Sequence, residues 1–147
     1  MEVIIVSSLN TGTPLDIAYQ FVRELPEDIN AQNRYHAVFL RTIFHIPCLK
    51  TDESAIDYTP LRLYHEDKAF FVAFDHPERL MNWAQESSSQ EIGVRTLNGE
   101  ELIQSLAPFV YLVLNPGTPY YTEIGPEQIN YLKKTINVIE KELISNS

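Results

Sequence analysis

The most apolar stretch of the chain, residues 109–114, constrains the fold more than any other segment, because all six of its side chains are aliphatic or aromatic. A run this short falls far below the roughly 20 residues of a membrane span. It stops at Asn115-Pro116-Gly117, residues that favour a turn. A short apolar run bounded by turn residues is typical of a strand that is buried on both faces. We therefore predict such a strand at residues 109–114.

A second dense apolar run covers residues 69–74 and follows an alternating segment at residues 61–65. Glu66, Asp67 and Lys68 lie between the two segments and are typical of a turn. Two strand-like segments joined by a short polar turn predict a β-hairpin. The second arm is apolar throughout, so we expect it to be central in its sheet.

Capping residues mark the helix starts. Thr13 precedes Pro14, and Asn98 precedes a run of acidic helix formers, so each is predicted to cap a helix. Asp75 is followed three residues later by Glu78, which predicts a capping box. Together with the apolar periodicity, these signals predict five helices that begin near residues 14, 30, 76, 99 and 126.

These elements predict an α+β fold in which a mixed β-sheet packs with about five α-helices. We expect a single domain over residues 1–147, with residues 1–12 as an additional strand or arm and without a second, C-terminal domain. Residues 2–9 are the candidate for that strand, and the polar stretch at residues 50–60 is expected to be a surface loop.

The net charge of the chain limits the classes of partner that we expect it to bind. The 147 residues carry 11 Lys or Arg and 20 Asp or Glu, a formal charge of −9. An acidic chain repels phosphate backbones and anionic lipids, so we expect neither nucleic acid nor membrane as a partner. A basic protein partner is favoured instead. One cysteine and no basic, apolar leader at the start fit a cytoplasmic protein.

No group of residues predicts catalysis or a cofactor. The four histidines, at positions 36, 45, 65 and 76, do not follow the spacing of a two-histidine zinc site. Cys48 is expected to be a buried, unreactive thiol, and the five glycines form no phosphate-binding motif. We therefore predict no catalytic residues, no metal and no cofactor.

The candidate binding residues are Asn115, Pro116, Gly117, Tyr120 and Tyr121. Proline at the second position and glycine at the third predict a type II turn. The turn leaves the carboxyl end of the most buried strand, where ligand crevices of α/β sheets tend to form. The structural alternative is a rigid connection to the last helix.

Several short motifs carry a family resemblance over roughly the last two thirds of the chain. They lie at residues 61–63, 74–80, 83–84, 99–102, 112–117 and 125–129. In this order and spacing they resemble the N-terminal domain of the SseB family, the bacterial enhanced-serine-sensitivity proteins. Asp75 and His76 stand where the family usually has Thr and Ser. The resemblance implies a bacterial cytoplasmic protein linked to serine sensitivity, and it implies no reaction or catalytic residue.

Two functions from different classes remain open. The first is a non-enzymatic domain that binds a protein partner. The second is a small-molecule sensor or enzyme that uses a crevice near Asn115-Pro116-Gly117, with Trp83 as a further candidate for its lining. The last helix has apolar residues at alternating steps of three and four from Ile129 to Leu143. This seam allows a homodimer if the sheet does not cover it.

Overall fold

The computed structural model describes residues 12–49, 59–87 and 92–145. Its helices are α1 (Pro14–Glu24), α2 (Ile29–Arg41), α3 (Pro77–Ser87), α4 (Gly99–Ser105) and α5 (Pro126–Ser145). Its strands are β1 (Ile43–Leu49), β2 (Thr59–Pro60), β3 (Arg62–His65), β4 (Lys68–Ala73), β5 (Ile92–Asn98), β6 (Tyr111–Leu114) and β7 (Thr122–Ile124). The chain divides into two compact units, Met1–Thr42 and Ile43–Ser147.

The first unit contains α1 and α2. The side chain of Thr13 accepts a hydrogen bond from the Asp16 backbone N–H at 3.0 Å, as the sequence predicts for a cap. Asp28 caps α2 in the same way, through the backbone N–H of Asn30 at 2.9 Å. The two helices contact each other through Tyr19 of α1, whose ring centroid lies 6.1 Å from that of Tyr35 of α2.

The strands of the second unit form two sheets. The three-stranded sheet has the order β2-β1-β5 and is antiparallel, with β1 and β5 paired along their full length. The four-stranded sheet has the order β3-β4-β6-β7 and is mixed, because β4 and β6 are parallel while its other pairs are antiparallel. Strand β4 is therefore central, as its apolar sequence predicts.

The two sheets are joined where β4 ends. His45 of β1 and Phe74 form an isolated antiparallel bridge, with N–H to O distances of 2.7 and 3.0 Å. The last four residues of β4 and all of β6 are in parallel register, from Phe70 opposite Tyr111 to Ala73 opposite Leu114. The chain segments that follow these two strands consequently leave the sheet at the same edge.

The core of the second unit is aliphatic and aromatic. Its fully buried side chains include Phe44, Phe74, Leu112 and Leu114, together with one face of α5. Lys133 of α5 donates a hydrogen bond to the Leu106 carbonyl at 2.7 Å, which ties α5 to the end of α4. Asn98 and Glu101 form a complete capping box at the start of α4.

The α+β class, the hairpin and the five helix positions are thus confirmed. Two local predictions are wrong. The sequence predicts Phe109 in a buried strand, but β6 begins at Tyr111, and Phe109 lies in the preceding turn with its side chain 85% exposed. The second error concerns the start of α3 and is described with the site below.

Residues 2–9 and 50–58 lie outside the described residues, so the additional strand and that part of the surface loop remain predictions. The same holds for the single-domain assignment. Thr59 and Pro60, which the sequence places at the end of the loop, form β2 against β1 instead, because their backbone pairs with Leu49 and Cys48. In the described part of the chain, no helix combines the length and the apolar character that crossing a bilayer requires.

Candidate functional site

The predicted binding residues lie at the edge where β4 and β6 end. The Asn115 backbone N–H donates to the Ala73 carbonyl at 2.9 Å, which extends the parallel pairing by one residue. The segment after β4 leads into α3, and the segment after β6 is the loop of residues 115–121. Carboxyl ends of parallel strands are where α/β sheets commonly place ligands and partners.

Asn115 joins the two segments. It is only 2% exposed, and its Oδ1 accepts a hydrogen bond from the Asp75 backbone N–H at 3.2 Å. Its φ of 52° lies in the left-handed region, which asparagine tolerates better than most residues. The side chain of Asn115 therefore fixes the start of the loop to the start of α3.

The type II turn that the sequence predicts is present. The Thr118 backbone N–H donates to the Asn115 carbonyl at 3.3 Å, and Gly117 has the positive φ, 81°, that the third turn position requires. The Thr118 hydroxyl donates to the same carbonyl at 2.8 Å. It also accepts from the Tyr120 backbone N–H at 3.1 Å. The loop is thus held by its own hydrogen bonds as well as by Asn115.

An ion pair lies beneath the loop. Arg79 of α3 donates from Nη1 to Asp75 Oδ1 at 2.6 Å, and the Arg79 and Asp75 side chains are 15% and 1% exposed. The guanidinium also stacks over the Tyr120 ring, with its carbon 5.0 Å from the centroid. Asp75 Oδ2 is buried and has no hydrogen-bond partner among the described residues. Arg79 therefore connects α3 to the loop.

This ion pair corrects the predicted capping box at the start of α3. The backbone N–H of Glu78 donates to His76 Nδ1 at 3.2 Å, so His76 occupies the capping position. Asp75 bonds to Arg79 instead. The side chain four residues along a helix offers the carboxylate a charged donor, and a charged hydrogen bond is stronger than the neutral one that a cap provides.

Trp83 supports the loop from α3. It is partly buried and packs against Val72, Phe74 and Leu80, with its ring centroid 5.6 Å from that of Phe74. A Cβ atom placed on Gly117 would lie 4.0 Å from Trp83 Cδ1. The indole is therefore a neighbour of the turn and part of the hydrophobic packing beneath it.

The two tyrosines of the loop have different environments. Tyr120 is half-buried and its ring stacks on the Arg79 guanidinium, whereas Tyr121 is 49% exposed. The Tyr121 backbone N–H donates to the Thr118 carbonyl at 3.3 Å, which holds its main chain in place. The sequence allows at most one of them to be a core residue, and Tyr121 is the one that faces solvent.

Two histidines, His45 and His76, lie near the Asp75–Arg79 ion pair. Burial lowers the pKa of His45, the nearby His76 lowers that pKa further, and the Asp75 carboxylate acts in the opposite direction. His45 is thus held toward its neutral form. Sequence reasoning considers this histidine as a possible zinc ligand and misses its position near Asp75.

Cys48 and the remaining ligand-type residues do not contribute to the site. Cys48 is fully buried, and burial raises the pKa of its thiol, with Arg95 opposing the shift. His65 and Glu66 lie in the exposed turn of the hairpin. Among residues 12–49, 59–87 and 92–145, no group of three His, Cys, Asp or Glu side chains is placed to hold a metal ion.

Asp75 and Arg79 are the site residues that sequence reasoning does not identify. Their spacing of four residues at a helix start is the available signal, because oppositely charged side chains at this spacing face each other. The partnership of Asp75 with Asn115 has no such signal, since it connects residues 40 positions apart.

The comparisons with known proteins identify the family of the chain. No curated protein and no solved structure matches the chain significantly. The family model described as the SseB protein N-terminal domain matches residues 18–131. This range contains Asp75, Arg79 and the whole loop of residues 115–121. The match covers more than half of the sequence, and the chain therefore belongs to the SseB family through that N-terminal domain.

Proposed function

We propose that this SseB-family domain is a non-enzymatic module that binds a protein partner through the loop of residues 115–121. The observation that carries the proposal is the contrast between a firmly held loop and an exposed aromatic residue on it. Asn115 and the turn hydrogen bonds hold the main chain, Arg79 stacks over the Tyr120 ring, and Tyr121 remains 49% exposed. A preorganised aromatic side chain loses little entropy on binding and is a good interface anchor.

The charge of the chain supports a basic partner. With 20 acidic and 11 basic residues, the surface potential attracts a basic protein and raises its rate of association. Family membership supports a bacterial cytoplasmic setting and a connection to serine sensitivity as the context in which this binding acts.

The alternative is a small-molecule sensor or enzyme at a crevice near Asn115-Pro116-Gly117. The unpartnered, buried Asp75 Oδ2 favours this alternative, because an unsatisfied buried acceptor is costly and such atoms concentrate at functional sites. The burial of both Asp75 and Arg79 favours the binding module instead. The Arg79 guanidinium is already paired with Asp75 and stacked on Tyr120, so it has little capacity left to bind a substrate.

The test is capture of partners from a lysate of the native host by the immobilised full chain, compared with two tyrosine variants. Tyr121→Ala should weaken binding by about tenfold or more, the effect of losing an interface anchor worth about 1 to 3 kcal/mol. Tyr64→Ala is the matched control, because Tyr64 of β3 is 70% exposed and lies outside the loop. Melting temperatures of both variants should stay close to that of the wild type.

Salt dependence separates the two functions further. Capture of a basic partner should weaken as salt rises from about 50 to 500 mM, because screening shortens the range of the attraction. If Tyr121→Ala and Tyr64→Ala capture the same partners equally well, the loop is not the binding surface. If Asp75→Asn abolishes a small-molecule response while Tyr121→Ala leaves partner capture unchanged, the sensor or enzyme is the better proposal.

A homodimer through the last helix is a separate proposal. Ile129, Leu132 and Ile136 of its apolar seam are buried within the chain, so a dimer would use the exposed side chains of Tyr131 and Val138. Light scattering at micromolar concentration tests it. A monomeric mass would exclude a dimer through α5 at that concentration.

A further inference from the structure

A cavity of about 630 Å³ lies within the second unit, between β1, β2, β3, β4, β5 and α4. Its apolar part includes Ile46 of β1, Val72 of β4 and the α4 side chain Leu102, each 3% exposed. Leu106 closes the same side and is 5% exposed. None of the residues 115–121 lines the cavity. Small-molecule sites in proteins have volumes of about 300–1,000 Å³ and are mostly apolar, so this cavity has a suitable size and lining.

Two arginines provide the charge of this cavity. Arg62 of β3 and Arg95 of β5 both line it, and both are exposed on its solvent side. The guanidinium carbon of Arg62 lies 5.2 Å from the centroid of the Phe71 ring, and its Nη1 lies 3.4 Å from the Tyr64 hydroxyl. Stacking on an aromatic ring orients a guanidinium and leaves its N–H groups available at the edge.

The sign of this charge is opposite to that of the chain. Acidic residues outnumber basic ones by 20 to 11 overall, yet the described residues that line the cavity include two arginines and no Asp or Glu. Within the described parts of the chain, neither guanidinium forms an ion pair with a carboxylate. A cationic entrance above an apolar interior is complementary to a molecule with one anionic end and an apolar body.

We propose that this cavity binds a small amphipathic carboxylate, with its apolar body against Ile46, Val72 and Leu102 and its carboxylate held by Arg62 and Arg95. Carboxylates suit this position because the planar guanidinium offers two parallel donors to a carboxylate group. The proposal does not depend on the loop of residues 115–121, since the two sites share no residue.

The test uses four probes that separate the head from the tail. Decanoate is compared with decanol, which has the tail without the charge, with decyltrimethylammonium, which has the opposite charge, and with acetate, which lacks the tail. Isothermal titration calorimetry on the full chain should show the highest affinity for decanoate, a lower affinity for decanol and the lowest for decyltrimethylammonium. Acetate should not bind measurably at millimolar concentration, and each additional buried CH₂ between hexanoate and decanoate should raise affinity by up to about fourfold.

Two arginine variants test whether Arg62 and Arg95 bind the carboxylate of decanoate. Arg62→Gln and Arg95→Gln should each weaken decanoate binding about tenfold and leave decanol binding within twofold, because a charged hydrogen bond is lost only with the anionic probe. Arg41→Gln is the control, since it removes the same charge at an exposed position of α2 outside the cavity. Both cavity variants replace exposed side chains, so their melting temperatures should remain near that of the wild type.

The position of the tail is measured independently of affinity. Nuclear Overhauser effects from decanoate methylenes to the methyl groups of Ile46, Val72 and Leu102 are expected. Equal affinity for decanoate and decanol, a loss of affinity in Arg41→Gln as large as in the cavity variants, or contacts only to methyl groups outside the cavity lining would each overturn the proposal. Absence of any decanoate binding at 1 mM would also overturn it.

Discussion

Four residues other than glycine have a positive φ in the described chain, namely Glu66, Asp67, Phe109 and Asn115. Asn115 is the buried member of this set, and its side chain also accepts the Asp75 N–H. One residue thus satisfies a backbone requirement and a hydrogen-bond requirement at the same point. This combination explains why the loop of residues 115–121 begins with asparagine.

Replacing Asn115 with alanine should lower the free energy of unfolding by about 2 to 5 kcal/mol. Roughly 1 to 2 kcal/mol comes from placing alanine in the left-handed region, because alanine lacks the short polar side chain that lets asparagine adopt it, and about 1 to 3 kcal/mol comes from the Asp75 N–H left without its acceptor. Urea unfolding followed by the fluorescence of the single tryptophan, Trp83, measures the loss next to the turn.

The Asn115→Gly variant separates the two contributions. Glycine accepts the positive φ, so only the hydrogen bond is lost, and the variant should be more stable than Asn115→Ala. If the two variants unfold at the same urea concentration, the backbone conformation does not contribute to the role of Asn115.

Phe109 also has a positive φ, 68°, but a bulky aromatic residue is poorly suited to this conformation. Its side chain is 85% exposed. Phe109→Gly should raise the free energy of unfolding by roughly 0.5 to 1 kcal/mol, because the relief of left-handed strain exceeds the entropy that glycine adds to the unfolded chain. Phe109→Ala is the control, as it removes the ring and keeps the strain. Equal melting temperatures for the two variants would contradict this explanation.

At the level of elements, the β3–β4 hairpin shows the same conflict between residue type and backbone. Its two central residues, Glu66 and Asp67, have φ values of 49° and 65°. Two positive values in a two-residue turn are what a type I′ turn requires, and Asn-Gly is the sequence that suits it best. The twist of the paired strands therefore determines this turn against the preference of Glu66, whereas Asp67 tolerates a positive φ better.

Replacing Glu66 with Asn and Asp67 with Gly together should raise the free energy of unfolding by about 1 to 2 kcal/mol, because both positions then tolerate positive φ. Differential scanning calorimetry measures the change in melting temperature. Glu66→Gln combined with Asp67→Gln is the control for charge, since it removes the same two negative charges without introducing a residue that favours a positive φ. A stabilisation as large in this control as in the Asn-Gly variant would assign the effect to charge.

Local signals in the sequence predict elements well when the capping partner is near. Thr13 and Asn98 cap their helices as expected, since each reaches a backbone N–H three residues away. Asp75 does not cap α3, because its position is determined by Arg79 and by the distant Asn115. The prediction for Phe109 fails because the start of β6 depends on its register with β4, which no local pattern contains.

At the scale of the molecule, two histidines make stability depend on pH. Burial lowers the pKa of His36 in the first unit and of His45 in the second below the ordinary value of 6.5. The folded chain then binds fewer protons than the unfolded chain below about pH 6.5, so the free energy of unfolding should fall as the pH drops from 6.5 through the lowered pKa values.

Urea unfolding between pH 7.5 and about 5.5 measures this decline, and this range stays above the ordinary pKa of the carboxylates. His45→Gln should make the decline shallower. His65→Gln is the control, because the His65 side chain is 78% exposed in the hairpin turn. Stability that rises on acidification across this range would show that the histidines gain protons on folding, which contradicts their lowered pKa values.

The candidate site can be located from the sequence more readily than its contacts. The type II turn and the buried strand before it are sufficient to select Asn115, Pro116, Gly117, Tyr120 and Tyr121. The cavity beside Arg62 and Arg95 has no sequence signal, because its lining comes from β1, β2, β3, β4, β5 and α4 and only the tertiary arrangement brings these elements together.

The 40-residue separation of Asp75 and Asn115 has a consequence during synthesis of the chain. Ribosomes add roughly 5 to 20 residues per second, so Asp75 is made about 2 to 8 s before its partner. Throughout that interval β6 does not yet exist, so the parallel partner of β4 is missing and the Asp75 N–H has no Asn115 side chain to bind. The parallel pairing thus makes the candidate site a late product of synthesis, since its two segments can join only after residue 115 has been added.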